Sequence, residues 1–392
     1  MPTLLQINSV ANIGSTGRIA EQIGEKAMAE GWKSFIAYGR EAAKSKSTLI
    51  KIGNKTNVYT HLLGSRIFDR HGLLSKKATQ LFINEINRIS PDVIHLHNLH
   101  GYYINYPLLL DFIIKNRVPT VITMHDFWLM TGHCAYINDD CKKWMSDCVR
   151  CPRLNAYPKS LFDNASSNLD IKEELFASAD NITIVPVSYW LQKKLSQSIL
   201  KGVQCNVIQN GIDTSSFFPD KSKILFQNNK IRLLCCATRW TESNGFSDIM
   251  KLAKTVNSNV EIIIVGVDKR QKAQMPDNVI GIERTENISQ LRQLYSQVDL
   301  FVNPNKEVTF GLVTAESMAC GTPSVVFKGT AGEEIVGKLG YVITDILQVN
   351  DIIDRINPNS VDVRNNCVEH IRENFDVNIQ LDKYFQLYKD II

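Results

Sequence analysis

The chain has 392 residues, of which 44% are hydrophobic and 21% are charged. This length and apolar content favour a globular protein of two or three domains. No stretch approaches the roughly 18 consecutive apolar residues of a membrane span, and a net charge of +4 is too small to indicate nucleic-acid binding. The segment MPTLLQINSV lacks the pattern of a signal peptide, so we expect a cytoplasmic protein.

Short β-rich runs alternate with segments of helical period, and this scheme occurs twice along the chain. In the first half, strands are predicted at 4–8, 34–39, 92–96, 120–125 and 182–188, and in the second half at 231–238, 260–267, 278–282, 299–304 and 323–327. Such alternation is typical of parallel sheets covered by helices on both faces. We therefore expect the α/β fold class, with two doubly wound, Rossmann-like domains facing across a cleft.

The segment from Asn210 to Ser222 is polar, rich in turn residues and contains a proline, so a linker is predicted at 210–222 between domains at 1–209 and 223–375. In doubly wound sheets, ligands bind beyond the carboxyl ends of the strands. The loops that follow the predicted strands are therefore the places where a site is expected.

The first such loop, NSVANIGSTGRIAEQ, joins a predicted strand to a predicted helix over 17–31. Gly14 and Gly17 allow the backbone to approach a ligand, Ser15 or Thr16 can cap the helix, and its first N–H groups can receive an anion. A tight turn that binds nothing explains the same residues equally well.

Two further loops, HLHNLHGYYIN and TMHDFW, carry polar residues. His95, His97 and His100 could indicate a metal site, but alternation places only His95 and His97 on one side of a strand and no acid completes a ligand set. His125 ends a predicted strand and is the stronger candidate for a site residue.

The segment HCAYINDDCKKWMSDCVRCP contains four clustered cysteines, which are Cys134, Cys141, Cys148 and Cys151. Clustered thiols in a cytoplasmic protein favour a structural metal site over disulfides, and the closing C-x2-C is a chelating pair typical of zinc. His133 is a substitute ligand, and four separate reduced cysteines are the alternative.

In the second half, the loop NKEVTFG follows a predicted strand and leads into a predicted helix, VTAESMA. Glu307 lies in this loop and Glu316 in the early turns of the helix. An acid in that position is often only a partner of the helix dipole, so Glu316 alone is not specific.

The longer string NPNKEVTFGLVTAESMACGTPSVVF resembles the signature of retaining, nucleotide-sugar-dependent glycosyltransferases of family four, which have the GT-B fold. Other similar segments follow in the same order, namely GSTGR, IHLHNLHGYYIN, MHDFW, NGID, ATRW and IVGV. The branch that they resemble most builds bacterial capsule, exopolysaccharide or O-antigen. The C-terminal YFQLYKDII is similar to the family's last helix, which implies that 376–392 crosses back onto the N-terminal domain.

The resemblance implies an enzyme that moves a hexose from a UDP- or GDP-linked donor to a hydroxyl of a lipid-linked glycan without a catalytic metal. It also implies peripheral contact with the inner membrane surface. The segment from Lys26 to Arg88 has more Lys and Arg than acids, which suits an anionic surface or is simply a solvated face.

The resemblance also assigns roles to residues of the donor domain. Glu316 would accept hydrogen bonds from the ribose hydroxyls, and Glu307 would hold the hydroxyls of the transferred sugar. Eight residues separate the two acids, against seven in the family, and Val308 occupies the position of the usual first acid, which we interpret as a longer loop.

Arg239 matches the family's diphosphate-binding arginine, whereas Asn244 stands where the family has a lysine. Lys306 or Lys328 would then supply the missing charge. The loop at 14–17 and the backbone at Phe310, Gly311 and Leu312 would assist.

On the acceptor side, the resemblance points to His97, Asn98, His100 and Asp126, with His125 shaping the sugar and acceptor region. His125, Glu307 and Arg239 are the predicted catalytic residues. Two alternatives to this function stay open. One is a catalytically impaired scaffold that binds a nucleotide sugar, which the missing lysine suggests. The other is a GT-B enzyme that acts on a small soluble acceptor.

Overall fold

The computed structural model describes residues 1–137, 141–356 and 360–392, and the chain divides into two compact units. The N-terminal unit comprises Met1–Ile208 and Leu381–Ile392, and the C-terminal unit comprises Gln209–Gln380. The segment 210–222 is part of the C-terminal unit, where Asp220 accepts hydrogen bonds from the Arg292 guanidinium at 3.0 and 2.9 Å.

The N-terminal unit is built on a six-stranded parallel sheet with the order β3-β2-β1-β4-β5-β6. Its strands are β1 (Thr3–Asn8), β2 (Lys33–Tyr38), β3 (Thr48–Lys51), β4 (Val93–Leu96), β5 (Thr120–Met124) and β6 (Ile182–Pro186). Its helices are α1 (Gly14–Ala29), α2 (Lys55–Phe68), α3 (Lys76–Ile89), α4 (Tyr106–Lys115), α5 (Ala165–Phe176) and α6 (Tyr189–Leu195).

The C-terminal unit has a second six-stranded parallel sheet with the order β12-β11-β10-β7-β8-β9. Its strands are β7 (Ile231–Cys236), β8 (Val260–Val265), β9 (Val279–Ile282), β10 (Leu300–Asn303), β11 (Ser324–Phe327) and β12 (Tyr341–Ile343). The remaining helices are α7 (Phe246–Ala253), α8 (Lys269–Lys272), α9 (Ile288–Gln297), α10 (Leu312–Ala319), α11 (Gly332–Val336), α12 (Gln348–Ile353), α13 (Val361–Phe375) and α14 (Val377–Ile391).

The predicted fold class is confirmed, because the chain forms two parallel sheets whose strands alternate with helices. Every strand predicted from the sequence is present, with ends that differ by at most two residues. β3 and β12, which were not predicted, are edge strands of four and three residues.

The C-terminal helix α14 completes the core of the N-terminal unit. Tyr384, Phe385 and Tyr388 are buried in one cluster with Leu4 and Trp32, and the rings of Trp32 and Phe385 lie 5.1 Å apart. Burial of one large apolar side chain is worth about 1.5–3 kcal/mol, so this helix contributes substantially to the stability of the unit. In the part of the chain that the structure describes, no helix is long and apolar enough to cross a membrane.

Candidate functional site

Neighbouring strands in the N-terminal sheet bring the predicted acceptor-side residues together. β4 lies between β1 and β5 in a parallel register, so the loops after these three strands leave the same edge of the sheet. His97 and Asn98 directly follow β4, and His125 and Asp126 directly follow β5. His97, Asn98, His100, His125 and Asp126 line one small pocket there.

A chain of hydrogen bonds determines which ring nitrogen carries the proton in His97 and in His125, whose rings are stacked at this edge of the sheet. Gln6 donates its amide to the carbonyl of Ala20 at 2.7 Å, which turns its Oε1 toward Nε2 of His97 at 3.1 Å. An amide oxygen only accepts, so Nε2 of His97 donates and its Nδ1 accepts. The partner of that Nδ1 is Nε2 of His125 at 3.1 Å, which therefore carries the proton. This assigns Nδ1 of His125 as its acceptor nitrogen.

His125 is neutral at physiological pH. Burial lowers its pKa to about 4, and this effect outweighs the neighbouring carboxylate of Asp126, which acts in the opposite direction. A neutral imidazole of fixed orientation can accept a hydrogen bond from a hydroxyl group but carries no charge to a ligand.

His100 and Asp126 form a second polar pair in the same pocket as His125. Nε2 of His100 contacts Oδ2 of Asp126 at 2.7 Å, and Nδ1 of His100 lies 3.3 Å from the hydroxyl of Tyr157. Burial raises the pKa of Asp126, but His100 and the backbone N–H of Trp128 outweigh it and leave the pKa below its ordinary value. Asp126 is therefore a carboxylate. Sequence reasoning missed Tyr157, which is far from these loops in the chain and belongs to no motif.

His95 is a structural residue. Its ring contacts the hydroxyls of Tyr388 at 2.6 Å and of Thr123 at 2.7 Å, and burial lowers its pKa well below the ordinary value. Both ring nitrogens are thus satisfied inside the N-terminal unit.

The glycine loop after β1 differs in detail from the prediction. Helix α1 already begins at Gly14, after Ile13, and no side chain caps it, so the prediction that Ser15 or Thr16 caps the helix is wrong. Thr16 instead receives a hydrogen bond from the amide of Asn8 at 3.3 Å. A Cβ on Gly17 would lie 3.1 Å from the backbone nitrogen of Asn12, so a small residue is needed where the helix passes this loop.

In the C-terminal unit, glycines allow the loops after β7 and β10 to touch. Gly245 has a φ of +92°, and a Cβ there would lie 2.6 Å from the carbonyl oxygen of Pro304. The turn that precedes Gly245 is therefore held against the beginning of the loop at 304–311. This contact places Asn244 beside the loop that carries Glu307.

Asn244 is committed to its own turn. Its Oδ1 accepts from the backbone N–H of Thr241 at 2.7 Å, and its Nδ2 donates to the carbonyl of Arg239 at 2.7 Å. Both bonds lie within the 3-10 turn Glu242–Asn244 and the residues just before it. The amide thus shapes the segment that presents Arg239, whose side chain is exposed.

The two predicted donor acids lie on either side of the start of α10. Glu307 is half-buried, and its backbone N–H bonds to the side chain of Asn305 at 2.8 Å. Glu316 is half-buried in the second turn of α10, and its Oε2 accepts from the hydroxyl of Tyr295 at 3.2 Å. Tyr295, on α9, is a candidate site residue that sequence reasoning missed, because its helical context looks like any core position.

The N-terminus of α10 has no side-chain cap, and Gly311, with a φ of +106°, precedes it. Its first N–H groups, beginning with that of Leu312, leave a partial positive charge at this point. The side chain of Phe310 is buried against Phe375, with ring centroids 6.0 Å apart, so only its backbone is available to a ligand.

The predicted replacement cations lie near this loop. Nζ of Lys306 pairs with Asp248 of α7 at 2.8 Å and lies 4.7 Å from the centre of the Phe327 ring. Lys328 is exposed directly after β11. The Lys306 ammonium has three N–H donors, so its pairing with Asp248 leaves donors for a phosphate.

The four clustered cysteines line one small cavity of the N-terminal unit together with His133. Within residues 1–137, 141–356 and 360–392, no group of three or more His, Cys, Asp or Glu side chains is arranged so that it could hold a metal ion as it stands. The zinc site therefore stays a prediction.

Comparisons with known proteins agree with this arrangement. Residues 231–357 match the family model described as "Glycosyl transferases group 1". A relative from Escherichia coli K12, named as the colanic acid biosynthesis glycosyl transferase WcaC, is 24% identical over 355 residues that cover 86% of each chain.

Solved structures show the same fold over the whole chain. A sucrose-phosphate synthase from Thermosynechococcus elongatus has a TM-score of 0.72 at 16% identity and covers 100% of this chain and 99% of its own. Anabaena HepE, solved in complex with UDP, has a TM-score of 0.69 at 15% identity and covers 100% of both chains. WaaG, a lipopolysaccharide glycosyltransferase, has a TM-score of 0.64 at 12% identity and covers 98% of this chain and 99% of its own. Together with the two parallel sheets, these matches show that the chain has the GT-B fold and that residues 231–357 form a glycosyl transferases group 1 domain.

Proposed function

We propose that the protein is a retaining hexosyltransferase that moves a sugar from a nucleoside diphosphate to a hydroxyl of a lipid-linked glycan in the synthesis of a bacterial surface polysaccharide. The observation that carries the proposal is the arrangement at the start of α10. There an uncapped helix N-terminus follows a loop with one half-buried acid, and a tyrosine orients a second acid one turn later.

Glu316 binds the ribose of the donor in this proposal. Tyr295 holds one of its oxygens, and a carboxylate with two oxygens offers about four acceptor positions, enough for a ribose diol as well. HepE was solved with UDP and with UDP-glucose, and this supports a uracil nucleotide as the first donor to try, with GDP as the second.

The leaving diphosphate gains negative charge as the bond to the sugar breaks. The N–H groups at the start of α10 and the guanidinium of Arg239 stabilise that charge, and Glu307 holds hydroxyls of the sugar. In a retaining reaction without an enzyme nucleophile, the leaving phosphate oxygen takes the proton of the acceptor hydroxyl. The main task of the protein is then to hold both substrates in line.

The N-terminal unit binds the acceptor in this proposal. His125 lines the small pocket at the ends of β4 and β5, and the carboxylate of Asp126 in the same pocket is oriented by His100. The relative WcaC is named for colanic acid biosynthesis, which supports a polysaccharide acceptor.

Because the proposed acceptor is linked to a lipid, the protein also contacts the membrane surface in this proposal. Phe68 at the end of α2 stacks on Phe162 with centroids 6.1 Å apart, although both are more than half exposed. Leu161, next to them, is 77% exposed. Such an apolar patch beside a basic segment suits an anionic lipid surface.

One observation favours the impaired binder as a second candidate. Asn244 stands where the family has a lysine, and its neutral amide, which bonds within its own turn, supplies no charge to a diphosphate. A binder would be stabilised by a nucleotide sugar but would neither transfer nor hydrolyse it.

The test is a panel of UDP-, GDP-, ADP- and TDP-linked sugars. One donor should raise the Tm, since a ligand that binds only the folded state stabilises it. That donor should then be consumed in the presence of a lipid-linked glycan, with retention at the anomeric carbon. Binding without hydrolysis or transfer on any acceptor would favour the binder, and no binding of any nucleotide sugar would overturn both.

A further inference from the structure

The cysteine-lined cavity of the N-terminal unit has no role in the proposed reaction, yet its walls are rich in metal-binding groups. Cys134 and Cys148 are 7% exposed, and Cys141 and Cys151 are half-buried. Cys134 and Cys151 share a hydrogen bond through their sulfur atoms, so at least these two thiols are in contact.

His133 gives independent support for a bound ligand in this cavity. It is 2% exposed, and its Nδ1 contacts Oδ1 of the equally buried Asp69 at 2.5 Å. Its Nε2 has no hydrogen-bond partner within the described residues. A buried nitrogen left unsatisfied costs about 1–3 kcal/mol. A histidine that is held on one nitrogen by a carboxylate and lines a cavity together with thiols is typical of metal sites.

The C-x2-C segment already has the shape of a chelating turn. Cys148 and Arg150 have left-handed backbones, with φ of 51° and 53°. Nζ of Lys143 binds the carbonyls of Val149 and Arg150, both at 2.8 Å, and the backbone N–H of Cys151 donates to Asp163 at 2.7 Å. The N–H of Gly132 points at the sulfur of Cys148, 3.5 Å away. These contacts hold a strained turn in place around the two thiols.

We propose that this cavity binds one structural zinc ion through the thiolates of Cys134, Cys148 and Cys151 and through a fourth donor on the same wall, either Cys141 or His133. Zinc takes four ligands of these two kinds in structural sites. The side chains do not yet converge on one point. Binding therefore draws them inward and releases the thiol protons to solvent. Lys143 and Arg153, which line the same cavity, offset the negative charge that three or four thiolates add.

The zinc site is connected to the acceptor-side loop by the backbone. Ala135, next to Cys134, accepts from the N–H of Phe127 at 3.1 Å and donates to the carbonyl of Tyr157 at 3.2 Å. Phe127 follows Asp126, and the Tyr157 hydroxyl contacts His100. Zinc thus holds the segment that orients the His100–Asp126 pair. This consequence rests on the proposed function, whereas the metal site itself does not.

The first measurement is the zinc content of wild-type protein purified without chelator, by native and inductively coupled plasma mass spectrometry. We expect one zinc per chain, and its loss in the double variant Cys148→Ser, Cys151→Ser. Cys205→Ser is the matched control, because Cys205 is also half-buried in the N-terminal unit but lies outside the cavity.

The fourth ligand is identified by comparing Cys141→Ser with His133→Ala, of which one should reduce the bound zinc to well below one per chain. Unchanged zinc in both would overturn the four-ligand site. A folded wild type without zinc would overturn the proposal. This holds both for free thiols and for a disulfide between Cys134 and Cys151. The intact mass distinguishes the two states, because a disulfide lowers it by two hydrogens.

The link to the acceptor side has its own readout. Removing zinc with a chelator should lower the Tm and raise KM for the acceptor, and added zinc should reverse both. Nucleotide affinity should stay unchanged, because Glu316, Arg239 and the start of α10, which carry the proposed nucleotide contacts, lie in the C-terminal unit. An equal loss of nucleotide affinity would contradict the link without affecting the metal count.

Discussion

Replacement of Asn244 by lysine tests where the diphosphate of the donor binds. The substitution restores the family's cation beside Arg239, and a charge-assisted hydrogen bond to a phosphate is worth about 1.5–3 kcal/mol. It also removes the two bonds that Asn244 makes, to the N–H of Thr241 and to the carbonyl of Arg239. At about 0.5–1.5 kcal/mol each, their loss costs about 1–3 kcal/mol. The added charge acts on donor affinity, whereas the lost bonds act on the stability and shape of the turn, so a comparison with wild type alone would not separate the two effects.

Asn244→Ala supplies the control that separates the two effects. Both variants lose the same two hydrogen bonds, and only lysine adds a charge. We therefore expect both to lower the Tm of the C-terminal unit by a similar amount, at roughly 2–4 °C per kcal/mol for a domain of this size. Asn244→Lys should nevertheless bind the donor about tenfold more tightly than Asn244→Ala, since tenfold corresponds to about 1.4 kcal/mol.

The assay is donor affinity by calorimetry, with the Tm of each variant measured in parallel. Equal donor affinity of the lysine and alanine variants would refute the placement of the diphosphate beside Arg239. If Lys306, which pairs with Asp248, supplies the cation instead, Lys306→Ala would show the large loss of affinity. That outcome would move the phosphate site along the loop toward Glu307.

The other predictions concern the acids of the donor site and the buried histidines. Glu316→Ala should weaken nucleoside diphosphate binding by tenfold or more, at about 1.5–3 kcal/mol per charged hydrogen bond, and Tyr295→Phe should weaken it less, because it only frees the carboxylate to turn. Unchanged affinity of the alanine variant in calorimetry would contradict the ribose role. Glu307→Gln should lower kcat while leaving the affinity for the bare nucleoside diphosphate as it is, and an equal loss of both would exclude a role confined to the sugar. Burial lowers the pKa of several histidines of the N-terminal unit below the ordinary value of about 6.5, namely His61, His71, His95, His97 and His125. Below about pH 6.5 these histidines are protonated in the unfolded chain but not in the folded unit. The free energy of unfolding should therefore decrease as the pH falls from about 6.5 toward 4. Urea unfolding at pH 7.5 and 5.5 checks this, and equal stability at both would mean that these rings are less buried than they are here.

The central strands could be predicted from the sequence, and two edge strands could not, for a physical reason. Strands such as β1 and β5 are buried on both faces and read as continuous apolar runs. β3, at the edge, has no fully buried residue, and β12 has three residues with one buried. Their pairing depends on the neighbouring strand rather than on their own pattern.

The site was predictable to the extent that it follows from strand ends. His97 and His125 belong to loops after adjacent parallel strands, so strand order alone brings them together. What those residues do depends on partners far away in the chain. Gln6 fixes the tautomer of His97 from 91 residues away, and Tyr295 reaches Glu316 from another helix. Neither partner has a local signal, because a glutamine in a strand and a tyrosine in a helix are ordinary residues there.

The role of Asn244 could not be predicted by comparing it with the lysine that the family has at this position. By sequence, the residue is a missing lysine, and the expected consequence is a weaker phosphate site. In the structure the amide bridges Thr241 and Arg239, a task that needs one donor and one acceptor and that the donor-only ammonium of lysine cannot perform. The loop after β7 is therefore built for an amide, and the position of Arg239 depends on it. A cation at 244 would have to be accompanied by a change in the turn, which is why the alanine variant, and not the wild type, is the reference that reports the charge alone.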